Sequence, residues 1–275
     1  MKKINQKLQY LIQKKYRYQL LENGFSNMDI SIGKKVLNSK RITMASHTRN
    51  FEISFAKKLG VNYALMVNSG SSANLLATFA AGNPLKKNCL KRGDEVLIPA
   101  LCWSTSLWPL VQFGLKPVFV DIDINTLNIN LVDLKNKITK KTKIIMPVHL
   151  YGSVVDINKI KKIIKKKNIY IIDDCSQAHG AYLGNKRVGS LADISCFSLY
   201  PGKNLGAYGD AGIITTNNLS HYNKIKNFRN LGSTVKFIHT QVGFNSRLDT
   251  IQASVLIEKL KLLKNYNEKR KKIAK

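Results

Sequence analysis

Seven short apolar runs separated by stretches of helical length constrain this chain more than any other feature of its sequence. They fall at 63–67, 95–99, 116–120, 143–148, 169–173, 194–198 and 212–216. Runs this short, with almost no polar alternation, suit strands buried on both faces, and such strands belong to parallel sheets covered by crossover helices. Between them, 72–81 places Leu75, Leu76 and Phe79 on one side, and 157–167 spaces Ile157, Ile160, Ile163 and Ile164 for one helical face. The lysines of that second stretch fall opposite its isoleucines and read as a solvated face. The expected fold is α/β, a mostly parallel seven-stranded sheet sandwiched by helices. At 275 residues and 44% hydrophobic content the chain can bury a full core, which excludes disorder and collagen-like repeats.

Three regions follow. Residues 1–50 read as a polar, helical N-terminal arm, and 51–249 hold the sheet. From 250 the helical pattern resumes through 263 and on to Lys275, as the start of a helix leading to a C-terminal small domain that is missing or truncated. There is no internal repeat and no low-complexity linker.

Lys+Arg 45 against Asp+Glu 16 gives a formal charge of +29, which raises nucleic acid or an anionic membrane as a partner. The lysines are spread over nearly every polar stretch rather than gathered in a stripe. No specific nucleic-acid partner is therefore expected, only non-specific affinity for polyanions. Cys89, Cys102, Cys175 and Cys196 form no CxxC pair and keep no regular spacing, which argues against a disulfide framework or a metal site. The basic N-terminus lacks the apolar core of a signal peptide, and no run reaches the roughly 18 apolar residues of a membrane span. No membrane insertion is expected, and the cytoplasm is the expected compartment.

In an open α/β sheet, ligands sit outside the carboxyl ends of the strands, so the residues after each run are the candidates. After the first run comes Asn68-Ser69-Gly70-Ser71-Ser72-Ala73, a small-residue turn opening a helix. It reads either as a phosphate cradle or as an ordinary capped helix start. Trp103 follows the second run, a flat aromatic that is either core or a stacking platform. His149 follows the fourth and is a secondary candidate, more often structural than catalytic in such a place. Asp173 and Asp174 end the fifth, with Gln177 and His179 beyond. Adjacent strand residues point to opposite faces, so at most one of the two carboxylates meets a ligand. After the sixth run, Ser198 leads into a Pro/Gly loop in which Lys203 stands apart from the lysine-rich stretches. An anion cradle, an aromatic plate, a carboxylate and an isolated amine at one edge together fit pyridoxal 5′-phosphate: phosphate, ring, ring nitrogen and aldehyde each find a partner.

From about residue 51 to 263 the chain resembles the DegT/DnrJ/EryC1/StrS sugar aminotransferases, a group of fold-type I pyridoxal-phosphate enzymes. The carrying segments are FEISFAKKLG, VNSGSSANLLA, GLKPVFVDIDINTLNIN, IIMPVHLYG, IIDDCSQAHGAYLGNKRVGSLADISCFSLYPGKNLGAYGDAGIITT and VGFNSRLDTIQASVL. The resemblance implies the fold-type I large domain and a homodimer. It implies that Lys203 carries the cofactor as a Schiff base and moves protons, that Asp174 pairs with the ring nitrogen, and that Gln177 contacts the ring face or its phenolic oxygen. Trp103 would stack on the ring, Ser71, Ser72 and Ser198 would bind the phosphate, and Asn245 would reach the phosphate of the neighbouring subunit. The implied reaction moves an amino group from glutamate or glutamine to a nucleotide-linked keto sugar, for amino-sugar and surface polysaccharide (lipopolysaccharide) biosynthesis.

Two alternatives stay open at this level. A dehydrase branch of the family has histidine where Lys203 stands, although the VNSGSSANLL segment and the long arm resemble that branch. The other is a truncated, non-catalytic remnant with a binding or regulatory role. The chain also departs from the usual Glu-Asp pair of the family, carrying Asp173-Asp174 instead.

Overall fold

The computed structural model describes residues 24–82, 90–165 and 167–275. The first 23 residues of the expected arm and Cys89 lie outside the described residues. The seven apolar runs become one seven-stranded sheet in the order β1-β9-β8-β5-β4-β2-β3. Its strands are β1 (Tyr63–Val67), β2 (Glu95–Pro99), β3 (Lys116–Val120), β4 (Thr142–Ile145), β5 (Tyr170–Asp174), β8 (Ile194–Ser198) and β9 (Gly212–Thr216). Only β9 runs against its neighbours, β1 and β8. The small hairpins β6–β7 (Tyr182–Leu183, Lys186–Arg187) and β10–β11 (Ser233–Val235, Ile238–His239) stand outside the sheet.

β4 ends three residues short of the expected run. Pro147 has no N–H to give the ladder, and the strand resumes past it only as an isolated bridge between Val148 and Asp174. Pro147 still accepts from the Asp174 N–H at 2.9 Å.

Period-two alternation divides the core by face. Leu65, Val67, Ile98, Ile144, Ile172, Cys196 and Ile214 pack under α3 (Gly70–Gly82), α4 (Ser104–Phe113) and α7 (Leu219–Arg229). Their neighbours Met66, Phe197 and Ile213 face the other way, against α2 (Ser46–Leu59) and α8 (Thr250–Ala274). On that same side Leu97, Ile145 and Ile171 pack under α5 (Leu131–Lys137) and α6 (Ile157–Ile163). Helix α6 stops at Ile163, short of the expected 167. Its Ile157, Ile160 and the following Ile164 are buried, and Lys161, Lys162, Lys165 and Lys167 are exposed.

The N-terminal part differs from a simple polar arm. Helix α1 (Asn27–Asn38) starts at a capping box in which Ser26 and Asp29 exchange hydrogen bonds. Helix α2 then runs straight through position 50/51. Phe51, Phe55 and Leu59, spaced by four, form a stripe buried against α8 and the sheet, each worth about 1.5–3 kcal/mol of burial. Arg229, from α7, pairs with Glu52 at 2.6 Å and also donates to the Met66 carbonyl at 2.7 Å, which locks α2 to β1.

Candidate active site

The parallel strands deliver their carboxyl ends to one edge, and because β9 is reversed its first residue, Gly212, lies there too, paired with Val67 and Ser198. The turn after β1, the start of α4, the end of β5 and the loop 199–211 therefore meet at this edge.

Alternation separates the two carboxylates. Asp174 shares the face of Ile172 and reaches α3 and α4. Its Oδ2 accepts from Asn74 Nδ2 at 3.1 Å and from Ser106 Oγ at 2.6 Å, and its Oδ1 accepts from the Ser176 N–H at 3.0 Å. Asp173 points to the opposite face and is fully buried against His149, at 3.0 Å from Nε2. The Val155 N–H donates to His149 Nδ1 at 3.0 Å, so Nδ1 keeps its lone pair and Nε2–H is the group that donates to Asp173. His149 is thus the hydrogen-bonded structural residue of the two readings. Ligand atoms of His149, Asp173 and Cys175 lie within 4.8 Å of one another, but a metal there would cost the imidazole the proton that satisfies Asp173.

Of the residues singled out in the sequence, Ser71, Ser72 and Ser198 come together. Ser69, Ser71 and Ser72 sit at the N-terminal end of α3, where Ser69 Oγ accepts from the Ser72 N–H at 3.0 Å. A Cβ added to Gly70 would lie 2.6 Å from Ser198 Cβ, so the turn and the end of β8 touch at a point only glycine allows. Ser198 is held there by its N–H, which donates to Ser176 Oγ at 3.0 Å. Hydroxyls thus gather around the N-terminal end of a 13-residue helix, a setting whose dipole suits an anion.

Trp103 caps α4 and is 70% exposed, so it is no core residue. Its carbonyl accepts from the Ser106 N–H, which sets its backbone one turn from the hydroxyl that holds Asp174. Gln177 Oε1 accepts from the Tyr151 N–H at 2.8 Å, linking the loops after β4 and β5. Asn245 is exposed and bridges Asn230 through its backbone, while the adjoining Ser246 carbonyl accepts from the Asn68 N–H. That segment therefore runs beside the start of the serine turn.

Lys203 sits half-buried in the loop 199–211, its N–H donating to the Tyr200 carbonyl. Burial pushes its amine below the ordinary lysine value, and the negative charge of Asp174 opposes that shift. The loop of Lys203 follows β8, whose Cys196 pairs with Asp174 at the end of β5. A lowered amine pKa leaves more of the nucleophilic free base near neutral pH. Burial, reinforced by the Asp174 charge, raises the thiols of Cys102 and Cys196, and Cys175 feels both aspartates, so none of the three is a thiolate nucleophile.

Sequence reading missed the residues that hold Asp174. Asn74 and Ser106 lie on inward faces of α3 and α4, one or two turns beyond the glycine-serine turn and Trp103. Their signal is a polar residue on the buried face of an otherwise apolar helix.

A sequence profile of the DegT/DnrJ/EryC1/StrS aminotransferase family matches residues 27–275. The chain belongs to that family. It is 42% identical over 240 residues to the dTDP-3-amino-3,6-dideoxy-alpha-D-galactopyranose transaminase of Aneurinibacillus thermoaerophilus, covering 87% of this chain and 64% of the relative. It is 37% identical to a pleiotropic regulatory protein of Geobacillus stearothermophilus, covering 87% of this chain and 63% of that protein. The chain thus spans a little under two thirds of the length of these two curated relatives. Among solved structures it superposes on E. coli GDP-4-keto-6-deoxy-D-mannose-3-dehydratase with bound hydrated PLP at a TM-score of 0.87, with 33% identity, covering 95% of this chain and 72% of that one. The fold is thus the fold-type I large domain, with its mostly parallel sheet.

Proposed function

We propose that this chain is the cofactor-binding part of an aminotransferase using pyridoxal 5′-phosphate, which moves an amino group from glutamate or glutamine to a nucleotide-linked keto sugar. The observation that carries the reading is that the end of β8, which leads into the Lys203 loop, lies beside the Asp174 end of β5 and against the serine turn at Gly70.

The residues present fit the cofactor. A carboxylate offers about four acceptor positions; three on Asp174 are taken, which leaves one on Oδ1 for the N–H of a protonated ring. Ser71, Ser72 and Ser198 would hold the phosphate, Trp103 would stack on the ring, and Gln177 would contact its face or its phenolic oxygen. When bound, pyridoxal phosphate supplies an aldehyde that condenses with amines and a ring that draws off negative charge from the substrate carbon. Lys203 would hold the aldehyde and, as a free amine, would serve as general base and acid toward a proton at the substrate carbon. Asp174 would hold the proton on the ring nitrogen. Asn245 would reach the phosphate of a neighbouring subunit, making a homodimer the active form. Residues 250–275 lead toward the C-terminal small domain, and free thiols and a nucleotide-linked substrate suit the cytoplasm.

The specific competitor is the dehydrase branch, since a dehydratase superposes over 95% of this chain. Lys203 favours the aminotransferase, because the histidine that the dehydrase branch carries at that place cannot hold an aldehyde covalently. The test is to load the chain with cofactor, add glutamate, and then supply a panel of nucleotide-linked keto sugars, analysing products by mass spectrometry. Incorporation of glutamate nitrogen into the sugar is the expected result. A product that has lost its 3-hydroxyl and gained no nitrogen would assign the dehydrase reaction instead.

A further inference from the structure

Helix α8 is buried along Leu256, Leu260 and Leu263, and one turn beyond Leu263 the same face presents Asn267. Asn267 Nδ2 donates to the His179 carbonyl at 2.8 Å, and Asn267 Oδ1 accepts from Asn204 Nδ2 at 2.7 Å. A backbone carbonyl can only accept, so the orientation of this amide is fixed: its NH2 faces His179 and its oxygen faces Asn204, which must turn its own NH2 inward. The backbone beside it takes a conformation that favours glycine. Gly180 has φ +81°, and a Cβ there would lie 2.8 Å from Asn267 Nδ2.

Asn204 is bonded directly to Lys203, and His179 lies five residues beyond Asp174. One side chain from the C-terminal helix therefore bridges the loop that carries the amine and the segment that carries the carboxylate. We propose that Asn267 is a positioning residue, which fixes the loop of Lys203 against the segment of Asp174 through Asn204 and the His179 carbonyl. This rests on the cofactor reading of Lys203. Asn267 itself touches no reacting atom; it acts by denying the Lys203 loop the freedom to swing out. Its apolar neighbour Leu263 docks the helix without it, since Leu263 lies over Gly180 on its own account. The amide is thus an addition to the docking surface rather than its basis.

The test uses the whole 275-residue chain loaded with pyridoxal phosphate, with hydroxylamine as the trap, and follows loss of the visible absorbance band. Asn267→Leu is expected to release cofactor about three- to tenfold faster, the scale of one neutral hydrogen-bond pair. Asn267→Gln, which keeps both amide groups, should recover part of the difference. Asn265→Leu, exposed on the same helix, should leave the rate unchanged. Asn204→Leu should match Asn267→Leu, and the double variant should be no faster than either single one. Wild-type release in Asn267→Leu, or independent addition of the two effects in the double variant, would overturn the proposal. Should Asn267→Leu fail to fold, Asn204→Leu against wild type decides the matter alone, because unchanged release there removes the bridge. If borohydride fixes the cofactor of the wild-type chain on a lysine other than Lys203, the cofactor reading falls first and this inference with it.

Discussion

At the scale of single residues, the proposed chemistry depends on how a buried carboxylate is held and aimed. Asp174 is 5% exposed, a position in which an ionised group is tolerated only with donors around it, and it has three. Asp174→Asn keeps the shape and removes the charge. It should cost the loaded protein about a hundredfold in turnover, the scale of removing one partner of a buried charge pair, and steady-state kinetics of the amino-transfer reaction would show it. Ser106→Ala leaves the carboxylate but withdraws its shortest hydrogen bond, and equilibrium titration should show cofactor affinity about tenfold weaker. Much of this site is legible in the sequence, because strand ends and glycine-serine turns advertise themselves. Alternation even says that Asp173 and Asp174 must part company, though it cannot say which reaches α3 and α4; that needs the packing of both helices over the face of Ile172. Asn74, Ser106 and Asn267 are invisible for the same reason. Each is a polar residue in a helix, and only the packing of that helix shows what it points at.

At the scale of elements, the serine turn and the end of β8 are pressed together at Gly70. Gly70→Ala would put a methyl group 2.6 Å from Ser198 Cβ and 2.9 Å from its Cα. Since neither neighbour is a flexible side-chain end, the turn must shift, costing about 1–3 kcal/mol as overpacking usually does. Urea denaturation should register that loss, and phosphate competition should show a weakened anion site; unchanged values in both would mean that the contact is looser than described. Helix α8 carries a separate load. Leu256 is fully buried among residues of α2 and the sheet, so Leu256→Ala should lower stability by about 2–5 kcal/mol through the cavity it leaves. All seven strands are legible because each is nearly pure apolar text, including the antiparallel β9 and the edge strand β3, whose Lys116 and Phe119 are exposed. The end of β4 is not, since Pro147 sits inside an apolar run and its missing N–H matters only once a partner strand is known. The stripe Phe51, Phe55, Leu59 is in plain sight at helical spacing, yet the lysines between its members make the whole stretch read as polar.

At the scale of the whole molecule, the excess of lysine is spread over the surface while the buried titratable groups govern pH dependence. His179 is 3% exposed, and its imidazole is held down to about 4, by burial first and then by the charge of Lys203. Its unfolded value is near 6.5. As pH falls through 6.5 the unfolded chain takes up a proton that the folded chain refuses until about pH 4, so stability is full above 6.5 and is lost through that window. His221, lowered chiefly by burial, acts in the same direction. The His179 contribution amounts to about 3 kcal/mol. Urea midpoints should therefore fall between pH 7 and pH 4.5, and His179→Leu should flatten part of that slope; an equal slope in the variant would count against the assignment.

In the proposed reaction one amine, that of Lys203 on the loop after β8, takes up the aldehyde of pyridoxal phosphate. Borohydride reduction of the loaded chain followed by peptide mapping tests this most directly. The stable cofactor adduct is expected on Lys203, and Lys203→Ala should carry none, although the chain offers many other lysines. An adduct on any other lysine, or one that survives in Lys203→Ala, would contradict it.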